Sequence, residues 1–113
     1  MHEMSLAEGV LQIIEDSAKS NAFTRVKTIW LEVGQLAGVE TEALRFCLDA
    51  VMRDTLAQDA QLEITETAGA GRCLSCNQAV TVAARYEPCP LCGGYPVEIT
   101  GGTEMRVKEL EVE

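Results

Sequence analysis

This chain of 113 residues contains a single histidine, His2. A hydrolytic site that relies on a histidine base therefore has no candidate beyond the second residue. No apolar run is long enough to span a bilayer, because charged residues interrupt every one. The sequence does not open with a basic segment followed by an apolar core, so no secretion signal is expected and a soluble, cytoplasmic protein is. Basic residues are also scarce: nine Lys and Arg stand against eighteen Asp and Glu, a formal net charge of −9. Neutralising phosphates needs a basic surface, so neither nucleic acid nor a membrane is an expected partner. An acidic surface suits metal cations or basic proteins, although its commonest role is solubility.

There is no internal repeat beyond two CxxC units and no low-complexity segment. The length fits one domain, or one domain with a small appendage. The apolar fraction, 47%, is ordinary for a globular protein.

Ser5 and Glu8 read as a capping box ahead of an amphipathic helix over residues 6–20. Leu6, Val10 and Ile13 form one stripe of it; Ala7, Leu11, Ile14 and Ala18 form the next. Such a cap leaves Met1 to Met4 outside the helix. Residues 25–33, RVKTIWLEV, read as a strand. Gly34 and Gly38 mark a loop, and Thr41 is the expected cap of a second helix over residues 42–56, buried through Leu44, Cys47, Leu48 and Val51. Residues 61–67, QLEITET, alternate as a second strand. AGAG, residues 68–71, reads as a flexible joint, and Gly101 and Gly102 as another. In TEMRVKELEVE, Met105 and Val107 share one parity and Leu110 and Val112 the other, which a bulge near Lys108 or Glu109 would reconcile. This last strand needs partners, and the two earlier strands offer them. The expected fold is α+β: two helices packed on a small mixed sheet, with an inserted four-cysteine, zinc-ribbon-like domain.

Within the insertion, Cys73-Leu-Ser-Cys76 and Cys89-Pro-Leu-Cys92-Gly93 are separated by twelve residues. A two-residue spacer lets a tight turn aim both sulfurs at one ion, and two such turns supply the tetrahedral set that structural zinc prefers. The residues TVAARYE are expected to form the hairpin joining them. Four thiolates leave no open position, so the site is closed. A piece this small has little core of its own, and metal binding should organise it. Disulfides are the rival reading that reducing conditions disfavour. Iron is the other, since CPLCGG also resembles a rubredoxin knuckle; CLSCN lacks the matching glycine. Cys47 reads as a small buried hydrophobe, and Met4, Met52 and Met105 as packing residues.

If Met1 is the mature terminus, Met1-His2-Glu3 gathers four nitrogens: the α-amine, the His2 amide and imidazole, and the Glu3 amide. Nickel(II) and copper(II) both accept square-planar nitrogen sets and deprotonate amides. A frayed terminus with an idle His2 is the plain alternative.

The MHE start, the amphipathic helix, the VGQLAGVE loop ending in Glu40, and CxxC-x12-CPxCG before a last strand together resemble the HypA/HybF family of nickel metallochaperones, across essentially the whole chain. That resemblance implies a nickel-binding α/β domain (residues 1–71 plus 101–113) and an inserted zinc-binding domain (residues 72–100). It implies nickel, Ni(II), as cargo at Met1, His2 and Glu3, with Glu40 matching an acidic residue near or in the nickel shell. Structural zinc, Zn(II), falls to Cys73, Cys76, Cys89 and Cys92. The histidines that flank the CxxC pairs in some members are missing. The implied role is non-enzymatic: delivery of nickel with a HypB-type GTPase to the [NiFe]-hydrogenase large subunit, with urease and its accessory proteins served by some relatives. The competing readings are a zinc-ribbon protein-interaction module with an idle N-terminus and a rubredoxin-like iron electron carrier.

Overall fold

In the computed structural model, residues 2–113 are described, and the elements follow in the order α1 (His2–Asn21), β1 (Val26–Gly34), α2 (Thr41–Val51), β2 (Gln61–Thr67), β3 (Gly69–Cys73), β4 (Ala79–Val82), β5 (Val97–Gly101) and β6 (Met105–Val112). Two three-stranded sheets form, in the orders β2-β1-β6 and β4-β3-β5. In the first, Gly34 N–H reaches Glu104 O while Thr24 N–H reaches Glu113 O, so β6 runs antiparallel to β1. Gln35 N–H reaches Thr67 O, so β2 ends where β1 ends and runs parallel to it. The sheet is mixed because a parallel neighbour requires a crossover, which α2 supplies.

The chain divides into two units. The helical unit comprises Met1–Leu31, Val39–Thr65 and Val107–Glu113; the sulfur unit comprises Glu32–Gly38 and Glu66–Arg106. The helical unit buries Ala7, Val10 and Ile14 from α1, Val26, Ile29 and Leu31 from β1, and Leu44, Cys47 and Leu48 from α2. Cys47 is therefore the small core residue its stripe predicts. Ile13, expected on that stripe, is half exposed instead. The sulfur unit has a smaller core of Leu36, Val80 and Val82 around Cys73 and Cys89, with Val97 and Ile99 packed against it.

Several local expectations are corrected. Helix α1 starts at His2, not after Ser5, and Ser5 is an exposed residue inside it. Nothing between residues 2 and 5 breaks a helix, and Glu3 in the first turn complements the positive end of the helix dipole. The residues expected to hang free are thus helical, except Met1, which lies outside the described residues.

Helix α2 is capped by Glu40, not Thr41, and stops at Val51. Beyond it, side chains compete for the backbone: Thr55 Oγ1 donates to Met52 O, and Gln58 accepts from Asp54 N–H. AGAG is not a loose joint. Gly69–Cys73 is the central strand of the second sheet, paired with β4 and β5. A Cβ on Gly71 would stand 2.9 Å from Glu98 O, so glycine is needed there for close strand approach. The expected 81–87 hairpin also shifts: β3 and β4 form the hairpin, and the first CxxC lies in its turn. On β6, two successive exposed residues, Lys108 and Glu109, mark the change of parity read from the sequence.

Candidate metal centres

The four cysteine sulfurs of Cys73, Cys76, Cys89 and Cys92 all lie within 4.8 Å of one another. Cys73 Sγ and Cys92 Sγ are 3.6 Å apart, and Cys76 Sγ and Cys89 Sγ 3.8 Å. A disulfide needs about 2.05 Å, so these are free thiols. A tetrahedron with metal–sulfur bonds of ~2.3 Å has edges of ~3.8 Å, and the observed spacings fit it.

Each pair is held by the same backbone turn. Cys73 N–H donates to Gln78 O at 3.0 Å and Asn77 N–H to Cys73 O at 2.8 Å. In the second turn Cys89 N–H donates to Gly94 O at 3.0 Å and Gly93 N–H to Cys89 O at 2.8 Å. The residue after the second cysteine is left-handed in both: Asn77 at φ 60° and Gly93 at φ 73°. Asparagine tolerates that region, so Asn77 does what glycine does in the other turn. The missing glycine of CLSCN therefore does not make the first turn different. Arg72 Nη1 supports it by donating to both the backbone and side-chain oxygens of Asn77.

The backbone N–H groups of these turns also act on the acidity of the thiols. Cys76 N–H donates to Cys73 Sγ, and Leu91 N–H and Cys92 N–H to Cys89 Sγ. The Cys76 N–H in particular lowers the Cys73 thiol to about 6, against the opposing effect of burial. Cys89 is held below its ordinary value mainly by the Cys92 N–H. At Cys76 the Gln78 N–H pulls downward, but burial and the three neighbouring sulfurs outweigh it and push the thiol up to about 12. Cys92 is raised too: the Gly94 N–H opposes this, while Cys73 and burial prevail. In each pair, backbone donors thus lower the first cysteine, while neighbouring sulfurs and burial raise the second.

At the other candidate centre, His2 and Glu3 form the first turn of α1. The His2 side chain is 56% exposed and that of Glu3 15%, with His2 Nδ1 3.8 Å from Glu3 Oε2. Glu40 N–H donates to Glu3 Oε2 at 3.3 Å. The Glu40 carboxylate in turn accepts from Glu42 N–H at 3.2 Å and Ala43 N–H at 2.8 Å. Glu3 and Glu40, 37 residues apart, are therefore brought together; the bond joining them has no signature in the sequence. The Glu40 N–H is the main reason the Glu3 carboxyl lies below its ordinary value, helped by the Glu3 N–H and by His2. The first four N–H groups of a helix have no partner within it, so the amides of His2 and Glu3 hold up no helical bond.

Among the described residues no helix is long and apolar enough to cross a membrane. A family model described as hydrogenase/urease nickel incorporation, metallochaperone, hypA matches residues 1–112. The hydrogenase maturation factor HypA of Albidiferax ferrireducens is 60% identical over 113 residues, covering 100% of both chains. That of Azotobacter vinelandii is 53% identical with the same coverage. The solution structure of the Ni metallochaperone HypA from Helicobacter pylori has the same fold, with a TM-score of 0.72 at 24% identity, over 97% of this chain and 96% of that one.

Proposed function

The chain belongs to the HypA family, and from that premise we propose that it carries Ni(II) to the assembly of the [NiFe]-hydrogenase active site, with urease as a second destination. It acts in the cytoplasm as a carrier, not an enzyme. Its partners are a HypB-type GTPase, the hydrogenase large subunit and, for urease, the accessory proteins of that enzyme.

Nickel is the cargo, held by residues 1–71 with 101–113. With Met1 as the mature terminus, the donors are its α-amine, the His2 amide and imidazole, and the Glu3 amide; the Glu40 N–H donates to the Glu3 carboxylate. The observation that carries this reading is the start of α1 at His2. Because the first-turn amides are not spent on the helix, they can lose their protons to nickel without breaking a helical bond. Reprotonation returns them to the same helical turn, which suits a cargo that must leave again.

The second division, residues 72–100, holds resident Zn(II) at Cys73, Cys76, Cys89 and Cys92. A closed set of four thiolates supplies cross-linking of the two turns, with no open position for substrate. Iron would fit the same two turns. A colourless protein with one zinc per chain is expected; a red one holding iron would make iron the resident metal.

The nickel reading is tested by titrating Ni(II) into the zinc-loaded protein, its His2→Ala variant, and a form with one extra residue before Met1. Both changes should abolish tight nickel binding while one zinc per chain remains. Unchanged affinity in the extended form would remove the terminal amine from the ligand set, and unchanged affinity in His2→Ala would remove the site.

A further inference from the structure

Glu40 touches both helix starts of the helical unit. Its carboxylate spans the first turn of α2, one oxygen on Glu42 N–H and the other on Ala43 N–H. Its backbone is extended, φ −88° and ψ 112°, as an N-cap residue must be. Its own N–H is thereby left outside α2 and donates to the Glu3 carboxylate on α1.

We propose that Glu40 is a positioning residue for nickel capture: its carboxylate caps α2, the cap aims the Glu40 N–H at Glu3, and Glu3 so held keeps the first turn of α1 in place for the metal. This rests on the N-terminal nickel reading and assigns Glu40 a role other than direct ligation. Three points carry it. Each Glu40 oxygen accepts an amide of the first turn of α2, which holds the carboxylate on that helix. Glu3, not Glu40, is the carboxylate nearer His2, at 3.8 Å. The terminal turn has no other described hydrogen bond to α2, and a terminus without such a tie frays. Ordering it beforehand lowers what binding must spend on fixing the chain.

A cap and a ligand respond differently to substitution. Asparagine and serine are good N-caps, whereas alanine is not. A carboxylate ligand is lost equally in all three. The experiment is Ni(II) calorimetry, with the nickel d–d absorption recorded in parallel, on the full zinc-loaded chain. Native protein is compared with Glu40→Ala, Glu40→Asn, Glu40→Ser, Glu3→Ala and the Glu3→Ala/Glu40→Ala double variant.

Glu40→Ala should weaken nickel binding by roughly fivefold to tenfold, the size of a lost cap, with the absorption band unmoved. Glu40→Asn and Glu40→Ser should return affinity to within about threefold of native, as caps of similar strength do. The double variant should bind no more weakly than Glu3→Ala, since Glu40 acts through Glu3. Asparagine and serine variants as weak as alanine, with a shifted band, would make Glu40 a ligand and overturn the proposal. Native affinity in Glu40→Ala would overturn it as well. His2→Ala in the same series separates the two ideas: unchanged affinity there sinks the nickel site itself, whatever position 40 does.

Discussion

Between Cys73 and Cys92 every donor is a side chain, and each is fixed by backbone N–H groups and a left-handed residue in a repeated turn. At residues 2 and 3 the proposed donors are chiefly backbone atoms of one helical turn, tied among the described residues to the cap of the next helix by one hydrogen bond at 3.3 Å. The first arrangement resists dissociation, because four sulfurs must be lost together and the small core of Leu36, Val80 and Val82 is built around two of them. The second can exchange one donor at a time against protons. The proposed resident ion and the proposed passing one call for these two kinds of construction.

The contrast is broken most severely at the sulfurs. In Cys73→Ser, or after chelation of zinc, residues 66–106 should lose their amide dispersion while the helical circular dichroism persists, since structural zinc contributes on the order of 10–16 kcal/mol at neutral pH. A dispersed spectrum for that segment without metal would show its core sufficient alone. The reciprocal change is Leu44→Ala. Leu44 is fully buried in the helical unit, and its truncation should cost about 2–5 kcal/mol in denaturation followed by the fluorescence of Trp30, the one tryptophan, with zinc content unchanged. Loss of zinc in this variant would mean that the two units do not stand independently.

Smaller effects sharpen the same comparison. Asn77→Val should weaken zinc retention against a competing chelator by roughly 1–2 kcal/mol, because a β-branched residue resists φ 60°. Asn77→Gly should match native to about 0.5 kcal/mol. Equal behaviour of the two would remove the left-handed turn as a constraint. The smallest effect is at Glu3. Its pKa is lowered from 4.5, mainly by the Glu40 N–H, so the contact stabilises fully above pH 4.5 and is lost as pH falls through the lower folded value. The Glu40 amide resonance should titrate with a midpoint below 4.5; a midpoint at or above it would show that the contact does not form.

The sulfur centre was legible because a CxxC spacing is local: the turn that brings two sulfurs together is encoded in four residues. The strands β1 and β2 were legible from β-branched and alternating residues to within one position at their ends. What the sequence hid depended on distant partners. Ser5 and Glu8 form a capping pattern, yet the helix runs past them to His2. Glutamate is outside the preferred caps, so Thr41 drew the cap that Glu40 holds. Ala68–Gly71 looks like a linker, but two of its glycines are buried in a strand because Val82 O and Glu98 O approach the chain there. Asn77 had a local clue, its match to Gly93, whereas the Glu3–Glu40 bond has none.

The placement of β6 has a consequence for synthesis. Glu113 and Thr24 close the ladder beside β1, so that sheet gains its third strand only when residues 105–113 have been made. On a ribosome, α1, β1 and α2 emerge first but wait for the last strand. The segment from Glu66 to Arg106 has by then been translated and holds all four thiols. Removing residues 105–113 would therefore leave that sheet with two strands, while all four thiols stay in the chain.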